Sequence, residues 1–224
     1  MSELEYRTLR IQDTLYYRST LLLKYDIQYP QFYLNGLPME CFNRRYAAKA
    51  TVYTQHCRGT LFRQAKEQFE EDQQVGAPVR IFEAVTEFTV TLNEDCALSL
   101  YADRYEYTGG AHGNTLRTSD TWDVPACAHI PLSGLCALPA GCRAYVIQQV
   151  VHQIEAQITD GEYYFDDYRK NAALYFNPHS FYLMPEGLTV YYQQYEIAPY
   201  SSGIPEFLIP YSAVIRKPLC IVES

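Results

Sequence analysis

The chain has 224 residues, 48% of them apolar and 20% charged, with a formal net charge of −8 and a pI of about 5.1. Such a chain is long and apolar enough to bury its own core, which excludes a disordered protein. An acidic balance without a cluster of Lys and Arg argues against a nucleic-acid partner. No apolar run reaches the roughly 20 residues of a membrane span.

Residues 6–11 and 14–29 are predicted strands, rich in apolar and β-favouring residues such as Leu15, Tyr17, Leu22, Tyr25 and Ile27. Pro30 is expected to end the second strand, because it has no N–H for a ladder. After the Asn35-Gly36 turn, Tyr46, Ala50, Tyr53, Cys57, Leu61, Ala65 and Phe69 recur at helical steps. They predict one helix over 39–74, or two joined near Gly59, stopped by Gly76-Ala77-Pro78. Within it, the neighbours His56 and Cys57 point apart.

Residues 79–92 and 96–108 alternate as a hairpin connected through Asn93-Glu94-Asp95, and 114–125 continue the sheet. The single Trp122 reads as a core or rim packer. A loop with a short Leu-rich element fills 129–142. Ile147, Val150, Val151, Ile154 and Ile158 make the apolar stripe of a helix over 143–159, with His152 on its solvent flank. A weaker helix over 163–174 follows. A second hairpin (181–184 and 188–195, through Pro185-Glu186-Gly187) and a short strand at 207–210 complete the chain. The order predicts an α+β fold, an antiparallel sheet with packed helices. Its N-terminal part (1–95) and C-terminal part (96–224) are expected to pack as one compact unit.

Seven cysteines, Cys41, Cys57, Cys96, Cys127, Cys136, Cys142 and Cys220, form no CxxC pair and no zinc-ribbon spacing. They read as buried free thiols of a reducing compartment. No apolar h-region follows Met1, so the chain as written is expected to be cytoplasmic, and extracytoplasmic if it has been trimmed from a longer protein. Neither a metal nor a cofactor is expected.

Tyrosine is the compositional outlier, with 22 residues. Single tyrosines suit sheet packing, whereas clusters suit binding surfaces, because each ring brings apolar area, few rotors and a polar tip. Two stretches concentrate this chemistry. Tyr105-Glu106-Tyr107-Thr108-Gly109-Gly110-Ala111-His112-Gly113-Asn114-Thr115 turns through three glycines and a histidine. It lacks the spacing of a phosphate loop. One reading is a tight corner in which His112 bonds the local backbone. The other makes His112 and Asn114 polar anchors beside Tyr105 and Tyr107, on a backbone opened by Gly109 and Gly110. The second stretch, 191–206, offers Tyr195, Glu196, Tyr200 and Glu206 around Pro199 and Gly203. No GxSxG or HExxH occurs, and no catalytic residue is assigned.

The runs YEYTGGAHGNT (105–115), YYQQYEIAPYSSGIPEFLIPY (191–211) and LLLKYDIQYPQF (21–32) resemble a bacterial domain of unassigned function. It is similar to the extracytoplasmic portion of the RsiV-type anti-sigma factors, which sense lysozyme, and to a region preceding the catalytic domain of some peptidoglycan deacetylases. That resemblance implies an α+β fold and a non-catalytic binding or sensing role at the cell envelope. No sigma-factor-binding segment, membrane helix or deacetylase domain is expected within residues 1–224, so neither of those activities is expected of these residues.

Together these readings predict a binding module for a glycan or a protein, with a groove lined by Tyr105, Tyr107, His112, Asn114, Tyr195 and Tyr200. Two rival readings are a hydrolase using His112 with Glu196 or Glu206, and an oligomerisation or interaction protein. The sequence leaves the oligomeric state open.

Overall fold

The computed structural model describes residues 4–94 and 96–218. Its elements in chain order are β1 (Glu5–Tyr17), β2 (Thr20–Leu34), β3 (Leu37–Pro38), α1 (Glu40–His56), α2 (Phe62–Val75), β4 (Phe82–Glu94) and β5 (Ala97–Tyr107). They continue as β6 (Asn114–Asp123), β7 (Ala128–His129), α3 (Pro139–Thr159), α4 (Tyr168–Leu174), β8 (Phe181–Met184), β9 (Gly187–Tyr191) and β10 (Glu206–Pro210). The larger sheet has the order β1-β2-β4-β5-β6-β7, with β3 paired to β2, and the smaller has the order β10-β9-β8. The fold is α+β and mainly antiparallel, as expected. Its one described parallel pair, β2 with β4, follows from the helices that cross between them. Among the described residues no helix is long and apolar enough to cross a membrane. The predicted connecting residue Asp95 and the thiol of Cys220 lie outside the described residues.

Two compact units divide the chain. One comprises Leu4–Phe88 and Ala102–Leu116; the other takes Thr89–Tyr101 and the described residues from Arg117 onward. The long strands β4, β5 and β6 therefore contribute residues to both.

In the first unit, β1 and β2 form one long hairpin rather than strands broken near residue 12. Its two-residue turn is Arg18-Ser19, both at positive φ (47° and 66°), the geometry that matches strand twist. β2 also runs past Pro30 to Leu34. Asn43 shows why this is tolerated. Its side chain accepts from Phe32 N–H (2.7 Å) and donates to Phe32 C=O (3.0 Å), so the even-numbered backbone groups of β2 face away from β1. The β4 pairing on that side ends at Ile27. Pro30 therefore lacks an N–H where no ladder asks for one.

α1 and α2 join through a π-helical turn, Cys57–Leu61, at the predicted junction around Gly59, with right-handed helical backbone at His56 and Phe62 on either side. Gly76 closes α2 in the left-handed conformation. Tyr53, Cys57, Leu61, Ala65 and Phe69 pack with Leu23, Tyr25 and Ile27 of β2 and Phe82 and Ala84 of β4 in one apolar cluster.

The core of the second unit gathers α3, α4 and the small sheet. α3 begins at Pro139, four residues earlier than predicted, with the proline where its missing N–H costs nothing. The buried stripe is Cys142, Val146, Val150 and Ile154, so Ile147 and Val151 flank it and Ile158 is exposed. These side chains pack on Leu183, Leu188, Val190, Phe207 and Ile209. The helix predicted from residue 163 is shorter, starting at Tyr168. Trp122 is buried as expected and stacks on His129 at 3.8 Å.

Cysteine usage departs from expectation. Cys41, Cys96, Cys127, Cys136 and Cys142 are disulfide-bonded, with Cys136 joined to Cys142. Cys57 alone is a free, buried thiol among the described residues. The spacings concealed this because disulfide partners are chosen by the fold.

The corrected stripe is tested by urea unfolding: Ile154→Ala is expected to cost about 2–5 kcal/mol as a buried cavity, whereas Ile158→Ala stays within about 0.5 kcal/mol as a surface change.

Candidate functional site

The glycine corner 105–115 belongs to the first unit, and its conformation is set by two close approaches. Gly109 sits at φ 84°, and a Cβ there meets Arg80 Cδ at 2.9 Å. Arg80 in turn pairs with Asp72, whose side chain is only 2% exposed, and reaches the Gly109 carbonyl at 3.5 Å. Gln68 Nε2 also donates to Asp72 (3.1 Å). The Arg80 guanidinium holds the Asp72 carboxyl below its usual range. The corner is thereby bolted to the end of α2. At Gly113 a Cβ falls 2.2 Å from the Tyr105 ring, so only glycine lets that ring lie on the backbone. Tyr105 is a packing residue of its own corner.

His112 and Asn114 are exposed, and His112 Nδ1 lies 2.9 Å from the Gly113 carbonyl. This is the local backbone contact that the tight-corner reading expects. Gly110 is exposed and spatially undemanding.

The polar centre of this unit is a residue the sequence reading passed over. Glu106 accepts the Tyr53 hydroxyl proton (2.9 Å) and has His56 Nε2 at 3.4 Å and Arg104 Nε at 3.9 Å. Tyr53 stacks on His56, and the Arg104 guanidinium lies 4.8 Å from the Tyr53 ring centre. Burial, then the Glu106 charge, pushes the Tyr53 hydroxyl well above its ordinary value. The same two causes push the Cys57 thiol up to about 12, leaving it an inert thiol at neutral pH. A signal existed: Tyr53 and His56 are three apart on a helix, and Arg104 and Glu106 two apart on a strand, so each pair shares a face.

The second stretch belongs to the second unit. Tyr191 and Tyr192 are buried, and Tyr192 donates to the Ala172 carbonyl at 2.8 Å. β9 stops at Tyr191 instead of reaching Tyr195. Gln193 replaces the ladder with its side chain: Oε1 accepts from Arg117 N–H (3.0 Å) and Nε2 donates to Arg117 C=O (2.7 Å). The Glu196 carboxylate accepts the Gln193 N–H at 2.7 Å, and burial raises its proton affinity. Glu206 pairs with Arg117, whose guanidinium lies 3.8 Å from the Tyr101 ring centre and 5.8 Å from that of Tyr191. Both carboxylates named as acid or base thus hold structural bonds within their own unit.

One feature of this stretch is partly exposed. Tyr195 is 51% exposed at φ 66°, a backbone region a bulky side chain seldom occupies. Its ring lies 5.8 Å from that of Tyr200, inclined by 31°. Tyr200 opens a 3-10 turn through Ser202, whose hydroxyl donates to the Tyr163 carbonyl (3.2 Å). The result is a braced, partly exposed aromatic pair.

The steric role of the corner is open to a double-mutant cycle. Gly113→Ala is expected to destabilise by about 1–3 kcal/mol through overpacking, and by clearly less in a Tyr105→Ala background, as read by denaturant midpoints.

Residues 18–115 match the family described as "Deacetylase PdaC", and residues 141–212 match "Protein of unknown function (DUF3298)". No curated protein matches the chain. The fold is similar to a DUF3298 family member from Bacteroides fragilis, at TM-score 0.69 and 20% identity, over 93% of this chain and 90% of that one. It is also similar to a DUF3298 family protein from Pseudomonas aeruginosa, at TM-score 0.61 and 19% identity, over 96% and 95%. These likenesses support a bacterial domain of unknown function, with a region similar to PdaC ahead of a region similar to DUF3298.

Proposed function

We propose that the chain is a non-catalytic binding module that takes a cell-envelope glycan on the Tyr195–Tyr200 pair. The observation that carries this is the exposed Tyr195 ring held against Tyr200 from a left-handed backbone. Such strain persists only where surrounding contacts over-determine it, and it concentrates at ligand sites. Here the contacts are the Gln193 clamp on Arg117 and the Glu196 bond to Gln193 N–H. Two adjacent rings offer flat apolar area with polar tips at low entropic cost, which suits the apolar faces and hydroxyl rims of a sugar. The likeness of residues 18–115 to a family described as a deacetylase, and the resemblance to regions of peptidoglycan deacetylases, support an envelope glycan as the class.

The site of action we propose is extracytoplasmic. Five disulfide-bonded cysteines suit an oxidising compartment. In denaturant without reductant, alkylation is expected to leave Cys41, Cys96, Cys127, Cys136 and Cys142 unmodified while labelling Cys57; labelling of all six, read by mass spectrometry, would place the protein in a reducing compartment.

Calorimetric titration with N-acetylglucosamine oligomers and soluble muropeptides tests the binding reading. Saturable binding is expected, and Tyr195→Ala and Tyr200→Ala should each weaken it about tenfold, the equivalent of about 1.4 kcal/mol. Binding that ignores both substitutions, or no saturable heat at about 10 mM ligand, well above a millimolar Kd, would overturn it.

A further inference from the structure

We propose that β1 is a self-complementary docking edge, which pairs antiparallel with β1 of a second copy of this chain about a two-fold axis at Ile11. β1 is the terminal strand of the larger sheet, and thirteen of its residues are in register with β2. Parity fixes which of its backbone groups face outward. Phe32 N–H and C=O bond to Asn43, so the even residues of β2 point away from β1 and the odd ones point toward it. Up to Leu15 odd pairs with odd, as in Ile11 with Ile27; past the bulge Tyr17 and Thr20 close the two-residue turn as a hydrogen-bonded pair, which leaves Tyr16 outward. The even residues of β1 therefore present their N–H and C=O groups outward. Thr14 agrees, because its N–H is taken by the neighbouring Asp13 carboxylate at 2.8 Å rather than by β2.

Reversed on itself about Ile11, the strand EYRTLRIQDTLYY sets Tyr6 opposite Tyr16, Thr8 opposite Thr14 and Arg10 opposite Gln12. Every one of these is an even–even pair, so the outward hydrogen-bonding groups meet. Aromatic and Thr–Thr pairs are the cross-strand partners that stabilise a sheet. Tyr6 and Tyr16 are 47% and 60% exposed. On the other face Ile11 meets Ile11, Leu9 meets Asp13 and Arg7 meets Leu15, so no like charges stand opposite. Arg10 is already neutralised by Asp26 of its own sheet. The usual edge defences are weak. β1 has no Lys and no Pro, and the bulge between Leu15 and Tyr16 puts the extra residue, Leu22, on β2. Only the Asp13 carboxylate competes, at a single amide. These features select a second copy over an unrelated peptide, because the complementarity is of the strand to itself.

The test is register-specific cross-linking between the exposed positions Thr8 and Thr14. A hydrogen-bonded antiparallel pair sets their Cα atoms about 5.5 Å apart, inside disulfide range. Two Thr8 residues, six positions out of register, lie about 20 Å apart. Under mild oxidation a mixture of Thr8→Cys and Thr14→Cys chains is expected to give a covalent dimer, and either variant alone is not. Sedimentation of the unmodified chain should show concentration-dependent dimer, shifted to monomer by Gln12→Pro, which removes an outward N–H and leaves the β1–β2 ladder intact. Monomer at about 1 mM, where a millimolar Kd already gives substantial dimer, would overturn the proposal. So would equal cross-linking of each variant alone, or a Gln12→Pro chain that is folded by circular dichroism and still dimeric.

Discussion

The parity of β2 is the constraint from which most of the first unit follows. Its odd residues from Leu23 to Tyr33 bond to β1. Its even residues face β4 as far as Ile27, and beyond it Phe32 bonds to Asn43. One alternation thus admits Pro30 into a long strand, and gives α1 a polar anchor three residues into the helix. It also decides which backbone groups of β1 look outward. Asn43 imitates the next strand with a single amide, so the cost of leaving Phe32 unpaired is avoided where the sheet narrows.

Long-range polar bonds organise the two motif stretches in the same way, each inside its own unit. Arg80 fastens the glycine corner to Asp72, and Glu106 collects Tyr53, His56 and Arg104. Gln193 and Glu206 hold Arg117 by backbone and side chain respectively. The conspicuous polar residues of the motifs mostly maintain shape. Beside the exposed His112 and Asn114, they leave an aromatic pair partly exposed, Tyr195–Tyr200, on a turn that Glu196 and Gln193 brace.

Much of the architecture was legible from periodicity alone. The helical steps from Tyr46 to Phe69 are real, including a junction around Gly59 that takes the form of a π turn. Local pattern failed where a distant partner decided the outcome. Arg18-Ser19 lacks the Asn-Gly signature of its turn type, so two strands were divided in the wrong place. Val146 and Cys142 entered the α3 stripe because the small sheet packs there, which no window over the helix reveals. Of the site residues, the tight corner at His112 was readable from its glycines. Arg117 and Glu106 were not, because their partners lie 89 and 53 residues away in the chain. The disulfides were hidden for the same reason: spacing does not report which cysteines the fold brings together.

Amide hydrogen exchange along β1, followed residue by residue by NMR at high dilution, tests the parity directly. Leu9 and Ile11 should exchange slowly through their bonds to β2, and Thr8, Arg10 and Gln12 should exchange fast. Uniform protection along the strand, or slow exchange at the even positions with fast exchange at the odd ones, would contradict the arrangement on which the hairpin, the tolerance of Pro30 and the outward edge all rest.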